Sequence, residues 1–309
     1  MPVTPAKRIM RDRAVDFEPR LVEECVLLAI EGAAPSERRE FRRERNAQYE
    51  LPGEDSREAG FQEMARRWFM RLGLENPLLE ALEEQPAVLR SVSRTLVLPA
   101  ISAKEETADL HESQERDRPV LAIRLRPTTL ADPRRLLPFL RHELQHVADM
   151  LDPEFAYDRT GPADGAGPVY EKLLRERYRV LWDTTVDGRL SAQGLLDPGV
   201  EEMRRGEFQT AFGMLGESAE ECFQRFFRGP RPRHGDLWGF AAQLLPGVST
   251  ARRCPLCALP SASFHAAPES MAPATLSQIR QEFPAWNPES GLCVQCADLY
   301  ASRDALVSP

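Results

Sequence analysis

The stretch Asp132-Pro133-Arg-Arg-Leu-Leu-Pro138-Phe-Leu-Arg-His142-Glu143-Leu-Gln-His146-Val-Ala-Asp-Met-Leu151 decides how this chain is read. Asp132 followed by Pro133 offers a helix N-cap with proline at the first helical position. Pro138 either distorts the first turn or marks where the regular helix begins. Leu137, Leu140, Leu144, Val147 and Leu151 recur in alternating steps of three and four, so one face of the helix is apolar. His142 and His146 lie nearly opposite that stripe. Four residues apart, they sit about 40° apart around the axis and one turn along it, so both imidazoles can reach one metal ion. Glu143 stands beside them, where its carboxylate can meet a water on that metal. Two neutral nitrogen ligands and a carboxylate base are what metal-assisted water activation needs.

Upstream, Val120 to Arg126 alternates, with Leu121, Ile123 and Leu125 on one side and Ala122, Arg124 and Arg126 on the other. This predicts a half-buried strand with one polar face. Thr95-Leu96-Val97-Leu98 predicts a second short strand. Downstream, residues 170–190 read as a helix with Gly188 near its end and a turn at Gly194 beyond. It carries Asp183 and Asp187, which stand at i, i+4 and so project from one face. One can complete the metal's ligands while the other accepts a hydrogen bond from a ligand histidine. The plainer reading of the pair is a solvated face with a charge partner such as Arg179. Glu171, Glu176 and the group Glu217, Glu220 and Glu221 read as ordinary surface acids. Tyr157, Tyr178 and Arg189 are candidates for polarising a carbonyl, and His234 for donating a proton. A lone histidine in a Pro/Arg-rich loop, however, is more often on the surface.

Cys254-Pro-Leu-Cys257 and Cys293-Val-Gln-Cys296 form two Cys-x-x-Cys pairs, the pattern of a tetrahedral four-cysteine zinc site. Phe264, Ile279, Phe283 and Trp286 lie between the pairs and can pack as a small core. A module of this size leans on its metal for stability. Arg252, Arg253 and Arg280 are offset by Glu269, Glu282, Glu289 and Asp298, which predicts no phosphate-tracking surface for nucleic acid. A protein contact or a purely structural role is expected. Cys25 and Cys222 sit among apolar helical residues and read as buried small hydrophobes.

The whole chain bounds these readings. Its 309 residues are 42% hydrophobic and 28% charged, enough to build a real core, with a formal net charge of −8. That balance argues against a nucleic-acid coat or a polybasic membrane anchor. No apolar run approaches the roughly 20 residues of a membrane span, and no apolar segment follows the basic start, so a cytoplasmic protein is expected. Residues 1–92 read as an N-terminal helical region. Pro19 opens an apolar stretch through Leu21, Val22, Cys25, Leu28 and Ala29; Ser36 to Tyr49 is a charged helix; Phe61, Met64, Ala65, Trp68 and Leu72 recur at helical spacing. Residues 93–247 are the expected catalytic domain, closed by Pro246-Gly247, and 248–309 the four-cysteine module. The fold class expected is α+β, mostly helical with a small sheet.

The order strand, His-Glu-x-x-His helix, acidic helix and four-cysteine ribbon resembles the small zincin metallopeptidases and, in domain order, the SprT-like family. The resemblance covers roughly residues 93–300, and its specific part is His142, Glu143 and His146. It implies a zincin fold, a strand over 120–126 that pairs with extended substrate, peptide-bond hydrolysis with Glu143 as general base, and two zinc ions, one catalytic and one structural. SprT-like proteins use a third histidine as ligand where this chain offers an aspartate, which brings it closer to gluzincin- or aspzincin-type sites. The run Trp182-Asp183-Thr-Thr-Val-Asp187 resembles one in bacterial peptidase-like families that implies Asp187 as the ligand. The thermolysin-like order implies Asp183 instead. The expectation is a zinc peptidase acting on a peptide or protein substrate. The rival is a catalytically silent, zinc-stabilised scaffold that binds a protein partner through its ribbon.

Overall fold

A computed structural model describes residues 15–113, 118–160, 168–242, 252–261 and 264–307. The expected break at Pro246-Gly247 lies outside these residues. The fold is α+β, and the chain divides into two compact units: Met1–Tyr157 with Leu190–Leu196, and Asp158–Arg189 with Asp197–Pro309.

The first unit is built around a four-stranded sheet. Its strands are β1 (Val15–Phe17), β2 (Arg94–Pro99), β3 (Thr107–His111) and β4 (Val120–Leu125), in the spatial order β1-β2-β4-β3. β1, β2 and β4 run parallel, and β3 is antiparallel to β4, with Ala108 opposite Ile123. The polar face expected of β4 is not observed. Leu121, Ala122, Ile123 and Leu125 are all buried, because β4 is an inner strand covered on both sides, and Arg124 alone of its residues is exposed. With both edges paired, β4 cannot add a substrate strand. The edge belongs to β3.

Helices α1 (Pro19–Glu31), α2 (Pro35–Tyr49), α3 (Glu54–Arg71), α4 (Asn76–Glu83) and α5 (Pro86–Ser91) precede β2. Pro19 takes the first position of α1, and the Glu18 carboxylate accepts from the Leu21 N–H at 2.8 Å. Leu21, Val22, Cys25, Val26 and Ile30 are its buried face; Leu28, expected on that face, is exposed. α2 buries Phe41 and turns its charges outward, where Glu40 holds Arg71 at 2.8 Å and Glu44 accepts from the Trp68 indole at 3.1 Å. α3 buries Met64, Ala65, Trp68 and Phe69. These helices share one apolar core with the sheet, so this unit draws on both of the first two segments distinguished in the sequence.

α6 (Pro127–Leu130) is a single turn, and α7 (Pro133–Leu151) carries the His-Glu-x-x-His run. Asp132 caps it, accepting from the Arg134 N–H at 3.1 Å. The helix begins at Pro133 and continues through Pro138. Leu136, Leu140, Leu144 and Val147 are fully buried, so Leu136 rather than Leu137 leads the apolar face. α7 packs on α4 and α5, where Arg141 makes paired bonds to Glu84 at 2.8 and 2.7 Å and Gln145 accepts from Gln85 at 3.1 Å.

The second unit holds most of α8 (Pro168–Ala192), followed by α9 (Gly199–Phe212), α10 (Ala219–Arg228) and α11 (His234–Ala242). Phe208, Phe212, Phe223, Phe226 and Phe227 form its aromatic interior. Cys222, expected to be buried, is half-buried, whereas Cys25 in the first unit is fully buried and burial pushes its thiol up to about 12. α8 runs through Gly188 and ends before Gly194, whose φ of +71° suits glycine. Gly188 has a different purpose. A Cβ there would lie 1.9 Å from the Phe227 carbonyl oxygen, so α8 meets the end of α10 backbone to backbone. Gly188→Ala is expected to cost about 3 kcal/mol by overpacking, read as a lowered midpoint in chemical denaturation. An unchanged midpoint would contradict this packing.

Candidate metal centres

On α7 the two histidine rings face one another edge to face, with centroids 4.7 Å apart and Nε2 atoms 3.1 Å apart. The i, i+4 spacing and the apolar stripe behind it turn both imidazoles to the same side. His146 is buried and His142 half-buried. Two imidazole nitrogens this close suit a shared cation, since each can point a lone pair at the same ion. Glu143 is half-buried between them. Its Oε2 accepts from the Ala108 backbone N–H at 3.0 Å and from the Thr107 hydroxyl at 3.3 Å. The carboxylate is therefore tied to the edge strand β3. Two residues on, the Leu110 N–H bonds Asp109 Oδ1 at 2.7 Å.

Asp183 and Asp187 are both buried on α8. Their close cation is Arg204 of α9, which sequence reasoning missed. Its Nε bonds Asp187 at 2.6 Å, and its Nη1 lies 3.4 Å from Asp183 and 2.6 Å from Glu207. Arg179, the expected partner, is 3.7 Å from Asp183, with its side chain 70% exposed. Burial alone would lower the Arg204 pKa, but the surrounding carboxylates outweigh it and hold the guanidinium firmly charged. Nothing in the spacing of Arg204 and Arg205 tells which of them serves the two aspartates, so only the folded pair of helices reveals it.

The remaining candidates fall into place individually. His234 is not on the surface: it is buried at the start of α11. The Trp238 indole donates to its Nε2 at 3.1 Å, and the Tyr178 hydroxyl lies 2.8 Å from its Nδ1. Because an indole N–H can only donate, Nε2 carries the lone pair and Nδ1 the proton, which Tyr178 oxygen accepts. Burial pushes the His234 pKa down, against the opposing influence of Asp158. With Tyr178 stacked on Trp238 at 4.3 Å, the three form an aromatic cluster in which Tyr178 and His234 are buried and Trp238 half-buried. Tyr157 is half-buried, and Arg189 Nε donates to the Thr185 carbonyl at 3.2 Å. Glu176 is exposed beside Lys172, and Glu217, Glu220 and Glu221 are exposed, as surface acids should be.

The second centre is the four-cysteine cluster. Sulfur atoms of Cys254, Cys257, Cys293 and Cys296 all lie within 4.8 Å of one another, a spacing that can hold a metal ion. Strands β5 (Arg252–Arg253) and β6 (Pro260–Ser261) make a hairpin that carries the first pair. Its turn is closed by Ala258 N–H to the Cys254 carbonyl at 2.8 Å and Cys254 N–H to the Leu259 carbonyl at 2.9 Å, with Ala258 at φ +57°. Helices α12 (Pro273–Glu282) and α13 (Val294–Val307) follow, and Cys296 sits in the first turn of α13. The Cys293 N–H donates to Cys254 Sγ at 3.3 Å. Burial pushes the Cys254 thiol up, yet the N–H groups of Cys257, Cys293 and Leu256 outweigh it and bring it down to about 7. Burial pushes Cys257 up to about 11 and raises Cys296 as well. The four thiols, one of them readily ionised, fit a soft divalent ion in a tetrahedral site. Ile279 and Trp286 are buried beside Leu256, Leu292 and Tyr300, while Phe264 and Phe283 pack partly against them. The Trp286 indole bonds the Gly291 carbonyl at 2.8 Å.

Compared with protein-family models, with curated proteins and with solved structures, the chain matches none. Among the described residues, no helix is long and apolar enough to cross a membrane.

Proposed function

We propose that the chain is a cytoplasmic zinc peptidase in which His142, His146 and Asp183 hold the catalytic ion and Cys254, Cys257, Cys293 and Cys296 a structural one. The observation that carries this reading is Glu143, fixed between two histidines whose Nε2 atoms are 3.1 Å apart. Asp183 is preferred to Asp187 as third ligand because Arg204 holds Asp187 at 2.6 Å but reaches Asp183 only at 3.4 Å. Asp187 then keeps Arg204 in place. Zinc, when bound, lowers the pKa of its water toward about 7 and polarises the scissile carbonyl. Glu143 takes a proton from the attacking water and returns it to the leaving amine. Peptide or protein is the substrate class that the resemblance to the zincins implies.

A second reading has support of its own. One half-buried arginine serving both aspartates explains why an acidic pair is tolerated on α8, with no catalytic role required. The chain would then be a zinc-stabilised scaffold binding a protein partner through its four-cysteine module. Metal analysis of wild type, His142→Ala and Cys254→Ser tests the two-site proposal. Two zinc ions in wild type and one in each variant are expected. A wild type with a single zinc, lost only in Cys254→Ser, would remove the catalytic site and leave the scaffold.

A further inference from the structure

We infer that Thr107 is a positioning residue for Glu143, acting with the Ala108 amide from the edge strand; this rests on the reading of Glu143 as the base. Both donors converge on the same atom, Oε2, at 3.3 and 3.0 Å. A carboxylate that accepts two hydrogen bonds through one oxygen is fixed in orientation, and its other oxygen, Oε1, would be the one to take the proton of the attacking water. The two donors come from consecutive residues of β3, one side chain and one main chain. β3 is itself held by five register pairs to β4, from Thr107 opposite Arg124 to His111 opposite Val120. Orientation is thereby set by the sheet and not by the rotamer freedom of a glutamate on a helix surface. A group held in productive geometry contributes to rate without touching the substrate. Thr107 would do so only through its hydroxyl, since the Ala108 amide is main chain and survives any substitution at position 107.

The test compares Thr107→Val, which keeps the shape and loses the hydroxyl, with Thr107→Ser, which keeps the hydroxyl. Full-length protein with measured zinc content is assayed on a mixed peptide library and then on a cleaved sequence. Thr107→Val should lower kcat by about tenfold with KM and zinc content unchanged, and Thr107→Ser should restore kcat to within about twofold of wild type. Wild-type kcat in Thr107→Val, or equal losses in both variants, would overturn the inference. Amide exchange separates failure of this inference from failure of the peptidase reading. The Ala108 N–H should exchange faster in Glu143→Ala than in wild type whether or not the protein cleaves anything. Slow Ala108 exchange in a zinc-loaded wild type that cleaves no peptide would defeat the peptidase reading and positioning for catalysis with it, while leaving the contact intact. Equal exchange in both proteins would remove the contact itself.

Discussion

Glu143→Gln is expected to abolish peptide hydrolysis while leaving the metal content at its wild-type value. Glutamine has the shape of glutamate and can still accept from the Ala108 N–H through its amide oxygen, so the bond at 3.0 Å to β3 need not be lost. What it lacks is a site for the proton. A neutral amide neither draws a proton from water nor delivers one to a leaving amine. Loss of such a general base costs about 10² to 10⁴ in rate. The histidines keep their ligand atoms, so zinc should stay. Cleavage of the peptide identified for wild type, read beside zinc measured on the same sample, checks both halves. Turnover within a few-fold of wild type would end the proposed mechanism. Lost zinc would instead show that Glu143 holds the metal.

The second large effect is structural. Cys254→Ser should remove one metal ion and unfold the C-terminal module. Cys254 is fully buried, and its sulfur also accepts the Cys293 N–H at 3.3 Å. The side chains packed around the cysteines are few, and zinc bound by four thiolates supplies free energy on the order of 10 kcal/mol or more to modules of this kind. Serine is a poor ligand for a soft site. Limited proteolysis should therefore open the segment from Arg252 to Tyr300 in the variant and spare the sheet-and-α7 core. Retention of two zinc ions with an unchanged digest would show that the cluster does not depend on its metal. EDTA treatment of wild type should give the same digest as Cys254→Ser.

The features legible in the sequence were those set by local chemistry. Asp132 and Pro133 start α7 as their types dictate, Leu140, Leu144 and Val147 of the expected stripe are buried, and two Cys-x-x-Cys pairs meet in space across a gap of chain. Features set by tertiary neighbours were not legible. Val120–Leu125 alternates on paper, but it is an inner strand paired on both edges by β2 and β3, and burial extends to Val120 and Ala122, leaving only Arg124 of its residues exposed. β1 is three residues long, too short to show any period, and β3 is TADLH, a stretch with a threonine, an aspartate and a histidine in five positions. His234 follows a run of arginine and proline that gives no hint of the aromatic cluster closing over it. Arg204 is one arginine among many until α9 folds against α8. For the candidate site, the residue types on α7 could be read directly. The tether of Glu143 to Thr107 and Ala108 could not, because it joins segments thirty-five residues apart.

The same tether bears on how the protein behaves when crowded. An outermost strand normally advertises a row of bare amides, and another molecule's strand can zip onto it as the first step of aggregation. In β3, the amide of Ala108 is spent on Glu143 and that of Leu110 on Asp109. A neighbouring chain approaching this border meets two carboxylates where it needs hydrogen-bond donors, which disfavours strand addition along β3.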